Sequence, residues 1–228
     1  MNGGTTVTEP IEALEAETAH AQAFLAGLTA EDWLRPTRCP PMNVRELTVH
    51  ALRGAYRIIE LLADPVRDAE PEKDAVTYYR YDPVAIGVGV VSRAQEESAA
   101  RPADTDLASE WATAWKQALE AARAAIDDDP VIASPLGTIR LRQYLRTRCV
   151  EVTIHLMDLQ EALGGEPDPS PEGLEAACDV LRGLLGTDLR PLGMDDVRFA
   201  LVGTGRGTLS EAEREMLGPL SDSFPLLR

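Results

Sequence analysis

The sequence predicts a mainly α protein, a four-helix bundle over residues 1–165 followed by a small α/β extension over residues 166–228. Three observations predict it. Long segments in the first two thirds of the chain carry apolar residues at helical spacing, with capping residues where they begin. One of them, "RCVEVTIHLMDL" at 148–159, is apolar around most of its circumference, as a helix inside a bundle must be. After Pro171 the pattern shortens and includes "DDVRFALVG", whose alternating Val197, Phe199 and Leu201 read as a strand.

Taken in order, the first helix is expected from about Val7 to Leu28, on the spacing of Ile11, Leu14, Phe24, Leu25 and Leu28. A loop with Pro36, Pro40 and Pro41 follows. Asn43, with Glu46 three residues on, predicts a capping box for a second helix that runs to about Ala63. The polar stretch "DPVRDAEPEKDA" reads as a loop, and a helix interrupted by Gly87 and Gly89 is expected from near Pro83. "TDLASEWATAWKQALEAARAAI" is an amphipathic helix capped by Thr105 or Asp106, in which Trp111 and Trp115 are core residues. "SPLGTIRLRQ" leads into the long helix that holds 148–159 and ends at Gly164-Gly165. In the extension, a helix over about 172–186 precedes the expected strand. "GTGRG" (203–207) then reads as a tight turn, with a phosphate loop as the weaker alternative because it lacks the GxGxxG pattern, and Ser210 with Glu213 caps a last helix.

Composition narrows the function classes. Of 228 residues, 44% are hydrophobic and 26% charged, the balance of an ordinary globular protein. No apolar run is long enough to span a membrane, and the first residues lack the basic-then-apolar order of a signal peptide. Cys39, Cys149 and Cys178 are too few and too scattered for a disulfide framework, and Cys149 reads as a small core residue. A formal charge of −16 disfavours nucleic acid and anionic membrane surfaces as partners. A cytoplasmic monomer or homodimer with reduced thiols is expected.

The long helix raises a chemical question. Each helical residue advances ~100°, so Arg148, Glu151, His155 and Asp158 fall within an arc of roughly 80° on an otherwise apolar helix. Burying a carboxylate there is costly without a cation. Glu151 and His155, at i and i+4, have the separation at which two side chains reach one metal ion. His50 is the candidate third ligand, because it sits among Leu47, Val49, Ala51 and Leu52 rather than on a solvated face. Two histidines and a carboxylate suit Zn2+ or another divalent metal with a coordination position left open. Asp158 is then placed to hold the second nitrogen of a ligating histidine, and Arg148 to offset Glu151 or bind an anionic ligand. The bland alternative is an Arg148–Glu151 ion pair beside a core histidine. His20 is the other candidate ligand, with a surface histidine as its plainer reading.

These residues lie in motifs that resemble a known family. "NVRELTVHAL" is similar to the second-helix signature of the mycothiol-dependent maleylpyruvate isomerase family of DinB-like four-helix bundles. "YLRTRCVEVTIHLMDLQEALG" resembles its R-x-x-E-x-x-x-H-x-x-D-L signature, "DWLRPTRCPPMNV" its D-W-x-x-P-T-x-C-P-G-W-x-V stretch, and "ALVGTGRGTLSEAEREMLGPLSDSFPLL" its tail. Pro41-Met42 stands where Gly-Trp is usual, and the tail is short beside that of the full isomerase.

The resemblance implies that His50, Glu151 and His155 ligate a metal, normally zinc, with mycothiol as the thiol cosubstrate. It implies an enzyme that activates the thiol for addition, cis–trans isomerisation or S-transfer on a small electrophile. It also implies a pocket role for the tail, where Arg206 is placed to meet a substrate carboxylate. Two other readings remain at this level: a metal-dependent hydrolase using bound water, and a non-catalytic bundle that keeps a metal for stability.

Overall fold

The computed structural model describes residues 9–66, 69–81 and 83–227. Its helices are α1 (Pro10–Leu25), α2 (Val44–Ala63), α3 (Pro83–Ala99), α4 (Leu107–Ala125), α5 (Leu141–Ala162), α6 (Pro171–Leu185), α7 (Asp196–Gly203) and α8 (Glu211–Leu217). A hairpin of β1 (Val131–Ser134) and β2 (Gly137–Arg140) precedes α5. The expected start of the first helix at Val7 lies outside the described residues.

Helices α1, α2, α4 and α5 form the four-helix bundle, and α3 flanks α2. Helix α2 begins where local chemistry dictates. The Asn43 side chain accepts the Glu46 amide and the Glu46 carboxylate accepts the Asn43 amide, both at 2.9 Å. Its apolar stripe of Val44, Leu47, Ala51, Leu52, Ala55 and Ile58 is buried. Asp106 caps α4 by accepting the Ser109 amide at 3.0 Å. Trp111 and Trp115, each 2% exposed, form the expected aromatic pair of the core. A Cβ on Gly54 would lie 3.3 Å from the Trp115 ring, so this glycine lets α2 and α4 approach closely.

Two segments differ from the sequence expectation. Residues 197–201 are helical, within α7, and not a strand. The Asp195 carboxylate accepts the Arg198 amide, which starts a helix, and Phe199, Ala200 and Val202 bury one side of it. The small sheet lies instead at 131–140, as an antiparallel hairpin pairing Ile132 with Ile139 and Ser134 with Gly137. Gly137 takes φ 122°, which favours glycine at the turn.

Two apolar clusters share α5. Leu145, Cys149, Val152, Leu156 and Leu159 face the bundle, while Val150, Ile154 and Met157 pack against α6 and the segments that follow. Ser170 caps α6, and the Ser170 amide in turn donates to Glu17 of α1 at 2.8 Å. Because α6 packs on both α5 and α7, the end of α7 and the loop after it lie beside the charged stripe of α5. None of the described helices is long and apolar enough to cross a membrane.

Candidate metal centre

Helix α2 contributes His50, and α5 contributes Glu151 and His155. One donor atom from each falls within 4.8 Å of the others. Glu151 Oε2 lies 3.8 Å from His50 Nε2 and 3.6 Å from His155 Nε2. The two imidazoles meet edge to face, with centroids 5.1 Å apart. The i,i+4 spacing brings Glu151 and His155 together, and the α2–α5 packing brings in the third group. Two imidazoles and one carboxylate, half-buried and convergent, fit a divalent cation by the chemistry of their donors.

Behind His155 stands a second layer of polar contacts. Asp158, with no exposed surface, accepts from His155 Nδ1 at 3.1 Å. The bond fixes the tautomer that leaves Nε2 free to ligate. The Arg206 guanidinium forks the same carboxylate, with Nε 3.0 Å from Oδ1 and Nη2 2.8 Å from Oδ2. Cys39 Sγ donates to Oδ2 at 3.3 Å. Arg206 also reaches the Thr204 carbonyl at 2.9 Å, and Arg38 bonds the Arg206 carbonyl at 3.0 Å. The loop before α2 and the turn after α7 are thus tied to one carboxylate of α5.

Electrostatics follow from this layout. Burial opposes ionisation of Glu151, but the close approach of His155 and His50 and the field of Arg148 outweigh it and hold the carboxyl well below its usual range. Burial pushes His50 down, toward the neutral form a metal needs. Burial also disfavours a charged His155, yet its hydrogen bond to Asp158 and the neighbouring Cys39 and Glu151 raise it well above an ordinary imidazole. Asp158 resists protonation despite its burial, because His155 and Arg206 both donate to it.

Each residue singled out by sequence has a definite place. Arg148 stands beside the three donors but makes no ion pair with Glu151 among the described residues. Its Nε and Nη2 donate to Thr147 Oγ1 at 3.2 and 3.1 Å, and it stacks 4.7 Å from the Tyr144 ring centre. Its influence on Glu151 is therefore through space. Arg206, expected to meet a substrate carboxylate, gives its fork to the Asp158 carboxylate of the protein itself. His20 lies apart from the cluster, 2.7 Å from the Asp168 carbonyl. Cys149 is fully buried in the core. Gly205 takes φ 73° in the expected turn at "GTGRG".

Sequence reasoning did not single out Cys39, Arg93 or the tyrosines at 78, 79 and 81. Cys39 is 119 residues from Asp158, and no local spacing announces their contact. The three donors open into a cavity of about 500 Å³, walled by Tyr78, Tyr79, Tyr81 and Ile154 and bounded on the tail side by Arg206 and Leu227.

A family model described as the mycothiol maleylpyruvate isomerase N-terminal domain matches residues 14–160. That span includes His50, Arg148, Glu151, His155 and Asp158 and stops before Arg206. No curated protein and no solved structure matches the chain.

Proposed function

The chain belongs to the mycothiol maleylpyruvate isomerase N-terminal domain family, and we propose that it is a metal-dependent enzyme that activates a low-molecular-weight thiol toward a small electrophile. The thiol is mycothiol, and the reaction is addition, cis–trans isomerisation or S-transfer. Residues 1–165 serve as the metal-binding bundle, and residues 166–228 as the extension that buttresses it. The observation that carries this reading is the convergence of His50, Glu151 and His155 on the wall of a cavity large enough for small substrates.

His50, Glu151 and His155 would hold Zn2+ or a similar divalent ion, which when bound lowers the pKa of an incoming thiol to give a nucleophile at neutral pH. The remaining chemistry belongs to the side chains. Asp158 keeps the proton of His155 on Nδ1, so that Nε2 presents its lone pair. Arg206 and Cys39 hold the Asp158 carboxylate from two other directions. Glu151 stays ionised and would contribute one negative charge to a dication, which would take the place of the Nε2 proton that His155 holds without it. Arg148 and the tyrosine wall supply a positive, partly dry surface on which electrostatic interactions are strengthened.

Metal content measured on untagged protein purified without added metal tests the centre, with about one equivalent expected. A thiol-dependence assay on the loaded protein tests the chemistry. Product formation that needs mycothiol supports the reading. Turnover without any thiol would place the protein among metal-dependent hydrolases, and metal without turnover would leave a bundle that keeps its ion for stability.

A further inference from the structure

Beside the metal centre a smaller chamber of about 110 Å³ between α2, α3 and α5 adjoins the cavity. We propose that this chamber is an anion subsite, in which Arg148 and Arg93 bind a carboxylate or phosphate group carried by one of the two substrates. The proposal deepens the reading above and rests on it for what the anion is attached to. Continuity comes first: His50, Tyr78, Arg93, Arg148 and Glu151 line both the outer cavity and the inner chamber. A ligand at the metal centre therefore lies next to the chamber.

Charge is the second argument. The chain carries −16 overall, yet four arginines line the chamber, with Glu97 and Glu151 as its acidic groups. Two of the four are already compensated. Arg53 forks Glu60 at 2.7 and 2.8 Å and lies 3.7 Å from Glu97, and Arg57 lies 3.4 Å from Glu60. Arg93 and Arg148 make no ion pair among the described residues, and they are the two arginines shared with the outer cavity. A guanidinium does not shed its charge to escape burial. Arg148 gives Nε and Nη2 to one hydroxyl, Thr147 Oγ1, and stacks on Tyr144, and the rest of its fork has no acceptor among the described residues.

A cation pair beside the Tyr78 and Tyr144 rings fits a planar carboxylate or a phosphate, for which the guanidinium fork is matched.

Calorimetric titration of succinate and of inorganic phosphate into zinc-free protein tests the subsite independently of the metal, with neutral succinamide as control. Binding of at least one anion and none of succinamide is expected. Arg93→Gln, a change at the exposed rim of the chamber, should weaken that binding about fivefold, and Arg148→Gln by about tenfold or more. Equal uptake of succinate and succinamide, or undiminished anion binding in Arg93→Gln, would overturn the subsite even if Arg148→Gln fails to fold. In loaded enzyme, Arg93→Gln should raise KM for the substrate that carries the anion, thiol or electrophile; a rise for neither also overturns it. Zinc uptake without anion binding leaves the metal centre standing alone, whereas anion binding without zinc uptake sinks the metal centre and keeps the subsite.

Discussion

His155 Nδ1 and Asp158 Oδ2 lie 3.1 Å apart on the same face of α5, and Asp158 has no exposed surface. In the proposed metal centre that contact would orient His155 as a ligand. Asp158→Asn keeps an acceptor for the imidazole but removes the charge that Arg206 and His155 both answer. We expect zinc affinity to fall about tenfold to a hundredfold, with helicity retained. Competition against a chromogenic chelator measures it, and an unchanged affinity would remove Asp158 from the support of the centre.

The ligands themselves should behave differently from their support. His155→Ala is expected to lose bound metal altogether, because only His50 and Glu151 remain. The circular dichroism should stay helical, since the α5 core residues Leu145, Val152 and Leu156 are untouched. Full metal occupancy in this variant, read by elemental analysis, contradicts the ligand set.

Arg206 gives a stability prediction. Removing its fork strips the buried Asp158 carboxylate of its cation, a loss of about 3 kcal/mol when one member of a buried pair is deleted. Arg206→Ala should lower the urea midpoint of zinc-free protein accordingly. Arg206→Lys should recover part of it, because an ammonium restores charge without the planar two-bond geometry. Full recovery by lysine would show that the fork geometry does not matter.

Legibility in the sequence followed the range of the interactions. Helix α2 was readable because Asn43 and Glu46 are three residues apart and cap each other. Glu151 and His155 were readable because helical periodicity alone puts them on one face, and His50 because a histidine amid apolar neighbours needs a reason to be there. The α7 segment misled because Val197, Phe199 and Leu201 alternate, and eight residues are too few for periodicity to separate strand from helix. The hairpin at 131–140 was missed because each strand has only four residues. The Arg206–Asp158 fork and the Cys39 contact join residues 48 and 119 apart. No local pattern encodes such pairs; they exist once α7 and the loop before α2 have docked on α5.

The docking of the extension yields a pH prediction. Glu17 of α1 has no exposed surface, and its Oε2 accepts the Ser170 amide at 2.8 Å and the Ser170 hydroxyl. Its Oε1 finds no partner among the described residues. Burial raises its pKa above the ordinary 4.5, against the opposing pull of the Ser170 hydrogen bonds. The folded protein therefore binds the proton more tightly than the unfolded chain. The stabilisation from protonated Glu17 is complete below the ordinary carboxyl pKa and is lost as pH rises through the raised value. Glu17→Gln cannot ionise and escapes this loss. Its stability relative to wild type should be lowest in acid, rise through that window and level off above it. Urea midpoints of both proteins from about pH 4 to about pH 8 test the difference directly, since other titrating groups largely cancel in the comparison. A difference that stays flat across the range would mean that Glu17 keeps an ordinary pKa, and that its bonds to Ser170 fully offset the cost of burying its charge.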